Sequence, residues 1–293
     1  MTEVTLSAVC MNVLQDKTAN LEKYVHYIEE AASLGARLIV FPEVSLQGYL
    51  KRRGAPSDPE VIEMTRYYRQ TAETVPGPTT ELIGKYAARH NIYVQIGMAE
   101  SARAGQVFYN SAVLVGPEGV VGVFRKLHDR GEWPVFNSGD DFPILETGIG
   151  KIGAFVCYDM CFPETVRTYA VRGAVIASMS TAWPLKDPNA SDPESDHYAY
   201  VYDTLTRAHA IANQMFFISS NQVGTTGRFN YYGHARIISP MGRILADSGR
   251  EEKLISATVD IEHEIDIART ETLFFKNLLR DRRPETYGAL INQ

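Results

Sequence analysis

Three side chains that could share one reaction stand immediately beyond apolar runs. Leu38-Ile39-Val40-Phe41 runs into Pro42-Glu43, Val120-Val121-Gly122-Val123-Phe124 into Arg125-Lys126, and Ile152-Gly153-Ala154-Phe155-Val156 into Cys157. Short apolar runs bounded by turn formers such as Thr147-Gly148-Ile149-Gly150 read as buried strands. Reacting groups of α/β proteins collect just beyond the carboxyl ends of strands. If the three strands are neighbours, a carboxylate, an ammonium and a thiol converge. A single charge at a strand end is ordinary rim, and a lone cysteine is commonly a packed thiol. The three in one pattern point to catalysis.

The chemistry follows from what a thiol lacks. With a reference pKa of about 8.5 it is a weak nucleophile at neutral pH and needs a base or a nearby cation. Glu43 is the predicted general base, taking the thiol proton, passing it to a leaving amine and later deprotonating water. Lys126 is predicted to hold the charge that forms on the carbonyl oxygen. The backbone N–H of Tyr158, next after Cys157, is the second oxyanion donor, and losing such a donor typically costs about 3 kcal/mol of barrier. A Cys-His arrangement is the rival, with His128 close to Lys126 in sequence and His209 on a predicted helix. Neither histidine directly ends a strand.

The elements that must position these groups alternate between α/β and hairpin character. Residues 4–11 read as a first strand, with Cys10 a core thiol. Leu21, Tyr24, Val25, Ile28, Ala31 and Ala32 recur at helical spacing, Gly35 closes that helix, and a strand over 37–41 completes a β-α-β unit. Two helices are predicted over 60–73 and 79–90, and strands over 92–98 and 107–115 lead to the strand that ends at Lys126. Residues 128–147 read as a long ordered loop bearing Trp133, Phe136 and Phe142. A helix over 163–172, strand 174–179, helix 199–213 and strand 215–220 repeat the α/β pattern; strands over 233–239, 243–247 and 254–260 follow. Helices outside two facing sheets would give an α/β four-layer α-β-β-α sandwich. No compositional break marks a linker, so one domain is expected over 1–261, with a C-terminal extension over 262–293.

Composition bounds the function. The 293 residues are 45% hydrophobic and 22% charged with net charge −6, an ordinary globular balance with no concentrated basic surface, so nucleic acid is not an expected partner. Three cysteines, at 10, 157 and 161, argue against a disulfide framework and for a reducing compartment. No metal is expected, since Cys157 and Cys161 lack a second ligand pair and the seven histidines show no ligand spacing. The N-terminus carries Glu3 in place of a basic region, and no apolar run approaches about 18 residues, which predicts neither signal peptide nor membrane span and a cytoplasmic location.

Phe41-Pro42-Glu43 followed by Gly48-Tyr49, Arg125-Lys126-Leu127-His128, and Cys157-Tyr158-Asp159 leading into Phe162-Pro163-Glu164 resemble the motifs of the carbon–nitrogen hydrolases of the nitrilase superfamily. Asn221-Gln222-Val223-Gly224, Gly233-His234-Ala235 and Ser239-Pro240-Met241-Gly242 resemble that family's closing strands, so the resemblance spans about residues 4 to 260. It implies a nitrilase-type four-layer fold, a Glu43-Lys126-Cys157 triad and no metal or organic cofactor. It also implies a second assisting glutamate, which falls on Glu132. Pairing of subunits into homodimers or larger homo-oligomers is implied too, with the C-terminal extension packing on a partner.

The substrate class is read from the same stretch. Cys157-Tyr158-Asp159 resembles the amidase and N-carbamoyl branches more than the true nitrilases. Relatives acting on carboxylate-bearing substrates often place arginine four residues after the nucleophile, where this chain has Cys161; without that guanidinium a neutral or cationic amide is expected. Cys161 itself reads as a packing thiol in preference to a resolving one. Trp183 and Tyr49 are candidate pocket walls, with a core role the alternative for either. Asp187, Asp192, Glu194 and Asp196 form either a solvated loop or a lid that favours an amine-bearing substrate. The expected reaction is hydrolysis of a small linear amide through a Cys157 thioester, with N-carbamoyl hydrolysis and then nitrile hydrolysis as alternatives. A catalytically silent scaffold is the reading from another class.

Overall fold

A computed structural model describes residues 3–50, 55–128, 135–270 and 276–290. Strands β1 (Glu3–Met11) and β2 (Ala36–Val40) flank helix α1 (Lys17–Ser33). Helices α2 (Pro59–Thr71) and α3 (Pro78–His90) precede a meander of β3 (Tyr93–Ala102), β4 (Val107–Gly116) and β5 (Gly119–Arg125). The second half holds β6 (Ile144–Thr147), β7 (Gly150–Val156), α4 (Pro163–Val171), β8 (Ile176–Thr181), α5 (His197–Asn213) and β9 (Phe216–Thr226). It ends in β10 (Phe229–Tyr232), β11 (Arg236–Ile238), β12 (Ile244–Asp247), β13 (Lys253–Asp260) and α6 (Ile261–Thr270).

The ladder runs β5-β4-β3-β2-β1-β9-β8-β7-β6. Its two halves join where Cys10 and Met11 of β1 pair with Asn221 and Gln222 of β9, and there the ladder folds over so that β2 and β3 face β8 while β4 faces β7. The pleat shows why the strands read as unbroken apolar runs. In β2, Leu38 and Val40 point into the core between the half-sheets, whereas Ile39 packs with Tyr24, Ile28, Ile83 and Ala87 under α1 and α3. Both faces are buried, so both need apolar side chains. On the other side α4 packs on β7 and α5 on β9. Gly153 makes room for α4, because a Cβ there would lie 2.2 Å from Cγ of Tyr169, whose hydroxyl donates to the Ala154 carbonyl at 2.5 Å. The result is the four-layer α-β-β-α sandwich.

Most predicted elements are present, with two strands that the sequence reading passed over. β6 lies inside the stretch read as loop and pairs antiparallel with β7. β10 pairs antiparallel with β9. Both are four-residue strands at the margin of the sheet, too short to show a period. The chain beyond β13 stays tied to the domain through Gln214, whose side-chain amide donates to the carbonyls of Ala268 and Lys276 and accepts from the N–H of Leu278. Among the described residues no helix is long and apolar enough to cross a membrane.

Candidate active site

Glu43 stands three residues past β2 and is fully buried. Its backbone N–H donates to the Thr181 carbonyl at 3.3 Å, and its carbonyl accepts from the Gln222 side chain at 2.9 Å. The first of these ties the end of one half-sheet to the end of the other. Its carboxylate is held from three directions. Lys126 Nζ and Asn110 Nδ2 donate to Oε1 at 2.7 and 2.8 Å, and the Ala182 N–H donates to Oε2 at 3.0 Å. Gly97, on the neighbouring β3, is required for this approach: a Cβ would fall 1.9 Å from the Pro42 carbonyl oxygen and 3.0 Å from Glu43 Cα. Gly97→Ala is therefore expected to shift Glu43 and cut kcat by about a hundredfold, the scale of an ångström of misplacement in a reacting group. Steady-state kinetics together with a lowered melting temperature would show it.

Lys126 follows β5 and is 4% exposed. The pleat sends Arg125 the other way, onto the Glu100 carboxylate, which it grips with Nε at 2.9 Å and Nη2 at 2.6 Å. Lys126 then turns inward. Its backbone is fixed by its N–H to the Asn110 carbonyl and by the Gly139 N–H to its own carbonyl. A buried ion pair of this kind is weak evidence for stability, since desolvation offsets much of the attraction. Its placement beside a thiol therefore calls for a functional reading.

Cys157 directly follows β7 and lies in the left-handed region, φ 48°, a backbone state a non-glycine residue adopts at a cost and which clusters at functional sites. Asp159 braces the turn, its carboxylate accepting from the Val156 N–H at 3.3 Å and the His128 N–H at 3.0 Å. Burial pushes the Cys157 thiol up to about 12; the Glu43 carboxylate adds to the rise, while the Lys126 ammonium, the Thr181 hydroxyl and the Ala182 N–H oppose it. The thiol is thus neutral at rest and a base must deprotonate it during reaction.

Tyr49, Lys126, Cys157, Tyr158, Ala182, Pro184, Phe229 and Tyr231 line a single pocket with about 310 Å3 of empty space. Tyr49 lines this pocket while also packing in a core cluster, its ring centroid 5.9 Å from Lys126 Nζ. Trp183 does not line it. Its neighbours Ala182 and Pro184 face the pocket, while its indole turns into the core, donating from Nε1 to the Tyr198 carbonyl and packing on Tyr202. Alternation along an extended segment allows only one parity to face the cavity. Glu132, and with it Trp133, lies outside the described residues.

The rival histidines are committed elsewhere. His128 Nδ1 is 2.6 Å from Asp159 Oδ1 with its ring stacked on Phe162, and His209 Nε2 is 2.7 Å from the Met160 carbonyl. Cys161 closes the short 3-10 turn Cys157–Cys161 and packs half-buried against the main core. In the acidic loop Asp187, Asp192 and Glu194 are exposed and Asp196 is buried. Asp196 accepts from the N–H groups of Lys186, Asp187 and Tyr198, Asp192 from Glu194, and Asp187 from Asn189. Glu194 accepts from the Tyr232 hydroxyl at 2.8 Å and meets His234 Nε2 at 3.0 Å.

Sequence reasoning missed Asn110, Ala182, Phe229 and Tyr231. Asn110 carried a signal, being a buried amide within an apolar strand. The others depend on register.

A sandwich of this kind with Glu, Lys and Cys gathered at one mouth has the architecture of the nitrilase superfamily. The family model for carbon-nitrogen hydrolases matches residues 5–269, and the chain belongs to that family, hydrolases of carbon–nitrogen bonds other than peptide bonds. It is 31% identical over 285 residues to the probable nitrilase C965.09 of Schizosaccharomyces pombe, covering 94% of both chains. It is 29% identical to omega-amidase NIT2-B of Xenopus laevis, covering 91% of this chain and 92% of the relative. In fold it matches the carbon-nitrogen hydrolase from Helicobacter pylori G27 with TM-score 0.83 and 24% identity, over 100% of this chain and 99% of that one. A mutant of the amidase from Nesterenkonia sp. AN1, which shows covalent addition of the acetamide moiety of fluoroacetamide at its active-site cysteine, matches with TM-score 0.75 and 20% identity over 98% and 96% of the two chains.

Proposed function

We propose that the protein is an amidase that hydrolyses a small, uncharged linear amide through a thioester at Cys157. The observation that carries this is the buried Glu43–Lys126 pair, 2.7 Å apart, with Lys126 and Cys157 lining one pocket. Glu43 takes the thiol proton as sulfur attacks the amide carbon. Lys126 and the Tyr158 N–H stabilise the oxyanion, and Glu43 returns the proton to the leaving ammonia. Water, deprotonated by Glu43, then opens the thioester to the acid. Glu132 is assigned an assisting role on the resemblance alone.

Cys161 supports an uncharged substrate, since it stands where an arginine would clamp a carboxylate. The only cation among the described pocket residues, Lys126, is engaged by Glu43. The C-terminal segment, which exposes Tyr287 and Leu290, is proposed to pack on a second copy of the chain.

A panel of simple aliphatic amides, N-carbamoyl amines and nitriles, read by ammonia release, tests the substrate assignment. Turnover of neutral amides above the other two classes is expected. Turnover of nitriles alone, or of carbamoyl compounds alone, would replace this reading with the corresponding one.

A further inference from the structure

Among the described residues, six tyrosines are almost completely buried: Tyr24, Tyr68, Tyr169, Tyr202, Tyr231 and Tyr232. Five have a hydroxyl partner in the protein, namely Ser45, the Gly48 carbonyl, the Ala154 carbonyl, Ser219 and Glu194 in that order of tyrosine. Tyr231 is 1% exposed, and its hydroxyl meets no donor or acceptor among the described residues. It is also the one of the six that lines the pocket of Lys126 and Cys157. Buried polar groups are nearly always hydrogen-bonded, so an unpaired phenol in a reaction pocket points to a bound molecule as its partner.

The main chain that carries the ring is fixed on both sides. Tyr231 pairs with Gly224 across the β9–β10 hairpin and bridges to Pro184 on its other side. The flanking Leu185 N–H donates to the Asn230 carbonyl and the Tyr232 N–H to the Trp183 carbonyl. Burial, with Glu43 and Cys157 close by, raises its pKa, so the phenol stays protonated and can donate.

Which part of the substrate it meets follows by elimination, and this step rests on the amidase reading. The tetrahedral carbon carries sulfur, an oxyanion served by Lys126 and the Tyr158 N–H, a nitrogen served by Glu43, and the acyl chain. The chain is left to Tyr49, Ala182, Pro184, Phe229 and Tyr231, of which the first four offer largely apolar or aromatic surface. A carboxylate on that chain would need a cation to offset its desolvation, which one phenol does not supply. We propose that the Tyr231 hydroxyl donates a hydrogen bond to an uncharged acceptor on the acyl chain, making Tyr231 a specificity-determining residue for amides with a neutral polar substituent near the scissile carbon.

Methoxyacetamide and butyramide have the same chain length and differ in an ether oxygen for a methylene. Wild type is expected to favour methoxyacetamide in kcat/KM by about tenfold or more, and Tyr231→Phe to erase that preference through KM, read as the ratio of the two amides' kcat/KM values. The variant's melting temperature reports that the fold is intact. Equal changes for both amides, or none, would overturn the assignment. Should wild type release ammonia from neither amide, the amidase reading fails. The same pair titrated calorimetrically onto Cys157→Ala, with and without Tyr231→Phe, then still decides about Tyr231. An affinity preference lost with the hydroxyl supports the contact, and affinities indifferent to the hydroxyl refute it.

Discussion

Cys157→Ala is expected to lower kcat by at least about ten-thousandfold while leaving the folded protein in place, since removing a nucleophile that acts as a unit with its base leaves only binding and oxyanion contacts. A methyl in place of a thiol that is 6% exposed changes packing little, so far-ultraviolet circular dichroism and the melting temperature are the controls. A second readout follows from the burial of the sulfur. With the thiol pushed up to about 12, the difference between wild type and Cys157→Ala in the thiolate absorption band should be absent at neutral pH and grow only in strongly alkaline solution. The folded state favours the protonated thiol, so the corresponding stability is complete below about 8.5, the unfolded value, and declines as pH rises from there toward 12. A variant that retains a tenth of the rate would remove Cys157 from the mechanism. A thiolate step near neutrality would replace the general-base role of Glu43 with a resting ion pair.

Lys126→Met should damage both catalysis and folding. The carboxylate of Glu43 would keep Asn110 and the Ala182 N–H but lose its counter-charge in a fully buried position. Breaking one side of a buried pair costs roughly 3–5 kcal/mol. Losing the oxyanion donor should cost about a further thousandfold in kcat. Glu43→Gln combined with Lys126→Met separates the two effects. With both charges gone the double variant should regain most of the stability lost in Lys126→Met, measured by urea unfolding, yet remain inactive. If it regains activity as well, the pair is scaffolding and not machinery.

Glu43, Lys126 and Cys157 were legible in the sequence because each ends an apolar run, and strand ends are where a chain must turn and present polar groups. Asn110, Ala182 and Tyr231 were not, for a common reason. Each reaches the site by lateral position: Asn110 of β4 opposite Ala99 of β3, Ala182 through the β8 alignment with β9, and Tyr231 through a hairpin that sets it opposite Gly224. Pairing register is a property of two segments, and one run of residues does not display it. Trp183 failed for the same cause, since the parity that faces the pocket belongs to Ala182 and Pro184. In the acidic loop, Asp192 and Asp196 accept backbone N–H groups at helix starts, a local use that composition does not display.

The two half-sheets meet edge to edge at two residue pairs, beside β1's last residues, and the proposed base and nucleophile stand on opposite sides of that seam. Neither half of the chain therefore owns a complete reaction centre. Anything that loosens how the halves seat against one another, from a distant cavity to a denaturant below its midpoint, would be felt first as lost turnover, with secondary structure still intact.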